Sequence, residues 1–342
     1  MQHKPWSALL STVIIASLVL AASAQAATRS PGAGSAAPGS EAAWPQKGKS
    51  ISLIVPYVAG GSTDTSLRPL VAMLEKDLGI PIQYLNKEGA GGQIGVTELS
   101  RAKPDGYTLG VTLLPAVITM YLNPDRQATF TRKSFQPIAM FVQDPQFIGV
   151  KADSPYKTLK DLIEAAKAKP KSIKDGCAGI LSPEHLAGLR LQKLTGTQFA
   201  TVQFDGAASV LTTLLGGHVD MAISSFGLFY SSHKSKQVRL LSINDKQVHP
   251  LAPEAPPTPS LGIDLISSVT RVVSAPAGTP KPIVDKLTAA FKKAIATPAF
   301  ADQMKSIGIT LRYMDPDQTS KFWEEYETEV APLVKDFQAS QK

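Results

Sequence analysis

The stretch VPYVAGGSTDTSLRPL, residues 55–70, is the part of the sequence that decides the fold. It overlaps the β-branched run ISLIV, which predicts a buried strand that stops at Pro56. Small and polar residues then precede a helical pattern: Gly60, Gly61, Ser62 and Thr63. Asp64 is the expected N-cap of the helix. The pattern is typical of a loop that binds an anion at a helix N-terminus, and also of a plain capped turn.

The composition excludes several classes of protein. The chain has 342 residues and 43% hydrophobic content, enough for two domains with cores of their own. Its net charge of +7 is spread without a basic run, which argues against nucleic-acid binding and favours anionic ligands. Cys177 is the single cysteine, so an internal disulfide cannot form. No His, Cys and Glu residues have the spacing of a metal site, and neither a metal nor a cofactor is predicted.

The first residues have the pattern of a secretory signal peptide. Lys4 precedes an apolar run, residues 8–22, and the small residues Ala24-Gln25-Ala26 follow it. Cleavage is predicted after Ala26, so that residues 1–26 are removed. The alternative is an uncleaved anchor, but the run is short for a span of roughly 20 apolar residues. Residues 27–47, rich in Ser, Pro, Gly and Ala, are predicted to be a flexible tether.

Strand patterns alternate with helical patterns from Ile51 onward, which predicts an α/β fold with a largely parallel sheet. Strands are predicted at residues 51–55, 82–85, 108–113, 137–142, 146–151, 199–203, 219–224, 238–243 and 269–274. Helices are expected after Thr158 and after Thr279-Pro280, and Pro332 should kink or divide a last helix. Extended passages near residues 140–150 and 240–246 flank a middle block, as expected for a chain that builds a second domain and returns.

A second glycine-rich loop, NKEGAGGQIG at residues 86–95, also follows a short strand and precedes a helix. It is not a dinucleotide-binding fingerprint, because Ile94 occupies the third glycine position. It also lacks the Gly-Lys-Ser/Thr end of a P-loop. Two such loops at neighbouring strand ends of one sheet are predicted to bracket a single anion.

Six motifs occur in a characteristic order along the chain. They are GGSTD with Arg68, NKEGAGGQIG, AKPDGYTL (residues 102–109), SPYKTLKDLIEAAKAKP (154–170), LLGGHVD (214–220) and APAGTPKPIVDKL (275–287). Together they closely resemble the periplasmic solute receptors of tripartite tricarboxylate transporters, also called the Bug family, over residues 45–337. The resemblance implies a two-domain periplasmic-binding-protein (flytrap) fold with the ligand in the inter-domain cleft. It also implies a periplasmic receptor that delivers a small organic carboxylate, of the di- or tricarboxylate class, to the transporter's membrane subunits.

The resemblance implies that two glycine loops and two loops of the facing domain hold the ligand. With Arg271 added from its own sequence context, the predicted ligand-binding residues are Gly60, Gly61, Ser62, Thr63, Asp64, Gly91, Gly92, Gln93, Ser182, His185, Phe204, Asp205, Gly206 and Arg271. An arginine in the apolar run SVTRVVS is unusual unless it is paired or faces a cleft. Arg271 is predicted to bind a second ligand carboxylate. The alternatives are a pair with an acid of its own domain, or a head group that reaches solvent.

The predicted organisation is domain I from residues 48–140 and 247–342, domain II from residues 141–246, and a monomer. The sequence departs from the family pattern at Leu181, at Gln203 and around Arg271, which leaves the ligand open. Two other functions are weighed against uptake: a receptor for a membrane signalling sensor, and a secreted hydrolase or isomerase. The enzyme is disfavoured because Ser182 and His185 have neither an orienting acid nor an oxyanion hole nearby in the sequence.

Overall fold

The computed structural model describes residues 44–341, so the predicted signal peptide, its cleavage site and most of the predicted tether lie outside the described part. The first half of the chain forms β1 (Ile51–Val55), α1 (Ser62–Leu78), β2 (Ile82–Asn86), α2 (Gln93–Arg101), β3 (Thr108–Leu114), α3 (Ala116–Leu122), β4 (Phe135–Lys151), α4 (Leu159–Ala168) and β5 (Lys174–Cys177). The second half forms α5 (Pro183–Thr195), β6 (Ala200–Gln203), α6 (Ala207–Leu215), β7 (Met221–Ser225), α7 (Phe226–Lys234), β8 (Val238–Ile243), β9 (Ser268–Pro276), α8 (Lys281–Ile295), α9 (Pro298–Ser306), β10 (Leu311–Met314) and α10 (Pro316–Ser340).

The strands form two sheets that share β4. The first sheet has the order β2-β1-β3-β9-β4, with β10 also on β4, and the second has β4-β7-β5-β6, with β8 also on β4. β4 pairs with β9 over residues 135–145 and with β7 and β8 over residues 146–151. Pairing is parallel within β2-β1-β3 and β7-β5-β6 but antiparallel around β4 and β9. The expected largely parallel sheet is therefore wrong, because the strands near the crossing run in opposite directions.

Each predicted strand segment overlaps a strand, but two of the segments form one strand, and two further strands are present. Residues 137–142 and 146–151 belong to one strand, β4, which continues through Asp144-Pro145. β5 and β10 were not predicted, because their sequences KDGC and LRYM lack a strand-like alternation. α10 continues through Pro332, so the predicted division of the last helix does not occur.

The helices cover both faces of each sheet. In the first sheet, α1, α8 and α9 contribute to one apolar cluster, and α2, α3 and α10 contribute to the cluster on the other face. In the second sheet, α4 and α5 contribute to one apolar cluster, and α6 and α7 contribute to the cluster on the other face. Leu181 and Leu186, at the start of α5, pack in the first-sheet cluster that contains Trp323 of α10. The start of α5 therefore lies against the first sheet.

The chain returns from the second sheet to the first by a long segment between β8 and β9. Ala252, Ala255 and Leu265 of this segment are buried in the second-sheet clusters. Ser267 then accepts a hydrogen bond from Gln146 N of β4, at 3.0 Å. The domain boundaries stay a prediction, and these contacts locate the return crossing close to Ser267. Between residues 44 and 341, no helix combines the length and apolar character needed to cross a membrane.

Candidate ligand-binding site

The two glycine loops follow β1 and β2, which are neighbours in the first sheet, and they pack against each other. A Cβ atom at Gly92 would lie 3.1 Å from a ring carbon of Tyr57, and one at Gly95 would lie 2.9 Å from Cβ of Pro56. Asn86 Nδ2 donates to the Tyr57 carbonyl at 3.0 Å. The two loops are therefore in contact, and their bracketing of a single anion stays a prediction. A residue larger than glycine would not fit at position 92 or 95, because the two loops touch there. The sequence did not indicate this contact.

The first loop ends in the N-terminus of α1. The helix begins at Ser62 with Gly61 as its N-cap, and no side chain caps it. The prediction that Asp64 is the N-cap is therefore wrong, since Asp64 lies in the first turn. The N–H groups of Gly60 and Gly61 donate within the loop, to Asp64 Oδ2 at 3.0 Å and to the carbonyl of Val58 at 3.2 Å. The N–H groups of the first helical turn remain as the donors for a ligand.

Asp64 organises the first loop through its carboxylate. Its Oδ1 accepts from Arg68 Nη2 at 2.8 Å and from Asn86 Nδ2 at 3.1 Å, while Oδ2 accepts from Gly60 N. Burial alone would raise the pKa of Asp64, but the hydrogen bonds from Arg68, Gly60 and Asn86 outweigh it and lower the pKa. A carboxylate used in this way holds the loop rather than the ligand.

The second loop has an unusual backbone and is tied to the neighbouring chain. Ala90 and Gly91 both have positive φ, 47° and 65° respectively, so the chain turns in the left-handed region there. Gln93 donates from Nε2 to the carbonyl of Arg126 at 2.8 Å, and Arg126 Nη1 donates to the carbonyl of Ala90 at 3.0 Å. The Gln93 amide nitrogen is therefore used within the fold, whereas Gly91 is exposed at the loop surface.

Arg271 of β9 reaches the start of α1. It is 0% exposed, and it donates from Nη2 to Ser62 Oγ at 3.0 Å and from Nε to Thr63 Oγ1 at 3.4 Å. Its Nη1 has no hydrogen-bond partner among residues 44–341. Burial lowers the pKa of Arg271 and the charge of Asp144 opposes this, but an arginine stays cationic in proteins.

The position of Arg271 bears on the two alternatives to ligand binding. Its head group does not reach solvent, and its hydrogen bonds go to the hydroxyls of Ser62 and Thr63 rather than to an acid. Arg271 therefore belongs to the same site as those two residues. Its predicted role in binding a second ligand carboxylate stays a prediction. Among the Lys and Arg side chains of residues 44–341, Arg271 alone is buried.

The second-sheet loops follow β5 and β6, which are parallel neighbours. Ser182 caps α5, since its Oγ accepts from His185 N at 3.2 Å. His185 is buried, its Nδ1 accepts from Leu181 N at 2.9 Å, and its ring contacts that of Phe337, with the centroids 5.2 Å apart. Burial lowers the pKa of His185 to about 4. We therefore assign this neutral histidine to the fold and not to ligand contact.

The other predicted loop follows β6 and begins α6. Phe204 is half-buried and donates its N–H to the carbonyl of Cys177 at 2.9 Å. Asp205 and Gly206 are exposed, and Gly206 is the N-cap of α6 with no side-chain cap. The loop thus presents a helix N-terminus at the carboxyl end of a parallel strand, where ligands bind in open α/β sheets. The role of Phe204, Asp205 and Gly206 as ligand contacts stays a prediction.

Three polar residues were missed by the sequence reasoning, and two of them, Tyr57 and Asp144, act on the pKa of Arg271. The hydroxyl of Tyr57 and Oδ1 of Asp144 are buried without a hydrogen-bond partner in the described residues. Asp144 Oδ2 accepts from Gly227 N at 3.3 Å, and burial raises the pKa of Asp144 to about 6, against the charge of Arg271. Glu184 is buried at the start of α5. The sequence feature that could have identified Asp144 is its place inside an apolar strand, because a buried acid without a partner is rare.

Two sheets that share a crossing strand, with loops at their strand ends, define a two-domain solute-binding protein of the flytrap class. A family model described as "Tripartite tricarboxylate transporter family receptor" matches residues 67–338, and the chain belongs to this family. A curated relative, the UPF0065 protein in the gbd 5' region of Cupriavidus necator, is 31% identical over 278 residues, which is 80% of this chain and 82% of the relative.

Two solved structures give the same fold. The periplasmic binding protein BugD is 28% identical with a TM-score of 0.74, and the match covers 85% of this chain and 98% of BugD. MatC from Rhodopseudomonas palustris, described with bound malate, is 25% identical with a TM-score of 0.75, and the match covers 84% of this chain and 100% of MatC. The predicted family and fold class are confirmed.

Proposed function

We propose that this protein is a periplasmic receptor that binds a small organic carboxylate and delivers it to the membrane subunits of a tripartite tricarboxylate transporter. The observation that carries the proposal is the buried, unpaired Nη1 of Arg271 beside the uncapped start of α1. Family membership supports the role in transport, and the malate of MatC supports the ligand class. Dicarboxylates therefore remain the first ligands to test.

The energetics favour an anion at this position. A buried guanidinium has lost its hydration, and within residues 44–341 that of Arg271 has two acceptors, the hydroxyls of Ser62 and Thr63. A carboxylate supplies the missing charge and accepts from Arg271 Nη1 and from the free N–H groups of the first turn of α1. Three charge-assisted hydrogen bonds at roughly 1.5–3 kcal/mol each support micromolar binding, which needs about 8 kcal/mol.

We propose that the ligand closes the two domains on each other. The crossings are β4 near Gln146 and the return near Ser267, which are joined by the hydrogen bond from Gln146 N to the Ser267 carbonyl. Asn244 extends this contact, since Ser267 N donates to its carbonyl at 3.0 Å. A ligand held from both sides binds the closed form more tightly and shifts the population toward it.

Calorimetry with malate and adipate tests the proposal. The variant is Arg271→Gln, and the control is Arg239→Gln, which removes an arginine that donates to backbone carbonyls of the segment between β4 and α4. Arg271→Gln should weaken binding by tenfold or more, because a hydrogen bond from a charged group contributes about 1.5–3 kcal/mol. Arg239→Gln should bind as the wild type does. Equal losses in both variants, or protein-dependent turnover of the acid in an NMR time course, would refute the receptor function.

A further inference from the structure

Asp144 of β4 and Arg271 of β9 are neighbours on one face of the first sheet. The two strands are antiparallel, with Val142 opposite Arg271 and Asp144 opposite Val269. Residues that lie opposite each other, and residues two apart along a strand, point to the same face of a sheet. Asp144 is therefore the diagonal neighbour of Arg271 on that face, at a spacing that long side chains can bridge.

Contacts place both side chains on the face that α1 covers. Arg271 reaches the start of α1 through its hydrogen bonds. A Cβ atom at Gly227 would lie 3.3 Å from Asp144 Oδ2 and 3.2 Å from Cγ1 of Ile309, which belongs to the apolar cluster of α1, α8 and α9. Gly227 is in the first turn of α7 and donates its N–H to Oδ2 at 3.3 Å. Asp144 is therefore next to Arg271 and in contact with the start of a second-sheet helix.

The two side chains are buried and oppositely charged, yet each keeps an unsatisfied polar atom. Among residues 44–341, Arg271 Nη1 has no acceptor and Asp144 Oδ1 has no donor, so the two atoms are not bonded to each other. The pKa of Asp144, at about 6, leaves it mostly ionised at neutral pH, so that Oδ1 can only accept. Polar atoms buried in this way normally have partners. A ligand with an acceptor for Nη1 and a donor for Oδ1 would satisfy both.

We propose that the site takes acids that carry a hydroxyl or ammonium group on the carbon next to a carboxylate. The carboxylate binds Arg271 Nη1, and the neighbouring hydroxyl or ammonium group donates to Asp144 Oδ1. This inference rests on the proposed function and narrows its substrate class. A carboxylate without such a donor would bring a second negative charge beside Asp144, and like charges at close range disfavour each other's ionised forms. The site therefore discriminates against acids that lack the donor.

Malate, aspartate and succinate are the probes, because they share a four-carbon diacid chain. Malate carries a hydroxyl group and aspartate an ammonium group next to a carboxylate, whereas succinate carries neither. Calorimetry on the wild-type protein at neutral pH should give binding roughly tenfold or more tighter than that of succinate, because one hydrogen bond to a charged group is gained. An advantage of malate alone identifies the hydroxyl group as the donor, and an advantage of aspartate alone identifies the ammonium group.

Asp144→Asn tests the role of the carboxylate while keeping the side-chain shape. Gly227 N needs an acceptor, so the amide oxygen should replace Oδ2 and the amide NH2 group should replace Oδ1. An ammonium group cannot donate to that NH2 group, so any advantage of aspartate over succinate should vanish. A hydroxyl group can accept from it, so malate should keep a smaller advantage, reduced by roughly fivefold because a neutral hydrogen bond is weaker. Succinate should bind at least as tightly as it does to the wild type.

Asp175→Asn is the matched control. Asp175 is also a buried acid whose oxygens lack a partner among residues 44–341, but it lies on β5 of the second sheet. This variant should keep the wild-type order of affinities for the three acids. Thermal melting should show that both variants remain folded, so that a change confined to Asp144→Asn reports on binding.

The outcomes separate this inference from the proposed function. Succinate binding as tight as that of both malate and aspartate overturns the inference while the receptor function stands. An advantage that Asp144→Asn leaves unchanged, or that Asp175→Asn reduces equally, overturns it as well. So does a wild type that binds adipate but none of the three four-carbon acids. Failure to bind any of these acids overturns the proposed function itself.

Discussion

The carboxyl group of Asp175 in β5 makes the stability of the protein depend on pH. Both of its oxygens are buried without a hydrogen-bond partner among residues 44–341. A Cβ atom at Gly188 of α5 would lie 2.6 Å from Asp175 Oδ2, so the helix covers the carboxyl group closely. Burial first, and the charge of Glu184 second, raise the pKa of Asp175 from 3.8 to about 8. The folded protein therefore keeps this group protonated at neutral pH.

The sign follows from proton linkage. Between the unfolded pKa of 3.8 and the folded pKa of about 8, the folded chain binds one more proton than the unfolded chain. The contribution to the free energy of unfolding is complete below the unfolded pKa and is lost as pH rises through the folded pKa. The slope is about 1.4 kcal/mol per pH unit, so raising the pH from about 5.5 to about 7.5 should lower the free energy of unfolding by about 3 kcal/mol.

Urea denaturation at the two pH values measures this loss in the wild type and in Asp175→Asn. The substitution removes the titrating group, so about 3 kcal/mol of the wild-type pH dependence should disappear. Asp302→Asn, at an exposed position of α9, is the control and should keep the wild-type pH dependence. The raised pKa of Asp144 acts in the same direction and persists in all three proteins. An equal pH dependence in wild type and Asp175→Asn would refute the reasoning.

Three further predictions concern the loops and the crossing. Asp64→Ala should lower the free energy of unfolding by about 2 kcal/mol, because Gly60 N and Asn86 Nδ2 lose a charged acceptor that ties the two loops together. Urea titration checks this, and an unchanged midpoint contradicts it. Gly95→Ala should destabilise the protein by about 1–3 kcal/mol and weaken malate binding, because the added Cβ would lie 2.8 Å from the Lys87 carbonyl oxygen. Denaturation and calorimetry measure the two effects. Wild-type stability and affinity in this variant would show that close contact between the loops does not require glycine at position 95. Small-angle scattering should give a smaller radius of gyration with saturating malate, and an unchanged profile with binding confirmed would argue against closure.

Local sequence patterns predicted the parts of the fold that depend on neighbouring residues. The run ISLIV and the helical pattern after Ser62 are local, and the structure has β1 and α1 there. The direction of β9 is not local, since it depends on where the chain returns after the second sheet. β5 escaped prediction because a buried acid, Asp175, and a glycine interrupt any apolar alternation in KDGC.

In the candidate site, too, the features that depend on neighbouring residues could be predicted, and those that depend on the tertiary fold could not. Ser62, Thr63 and Arg271 could be chosen from residue type and context, and the structure brings them together. The role of Asp64 was misjudged because the N-cap is the residue just before the first helical residue. Sequence patterns locate that residue only to within one or two positions, and α1 begins at Ser62, so Asp64 falls in its first turn. Tyr57 could not be chosen from sequence, because its unpaired hydroxyl is a result of tertiary packing.

The placement of β9 has a consequence for the order in which the chain can fold. Thr112 of β3 donates its hydroxyl to the carbonyl of Val272, and the two residues are 160 positions apart. The first sheet therefore remains open at its centre until nearly the whole polypeptide has been synthesised. Contacts of such high sequence separation form slowly, because the entropy of closing the loop must be overcome first. In a nascent chain the pairing of β3 with β9 therefore forms late, after more than 150 further residues have followed β3.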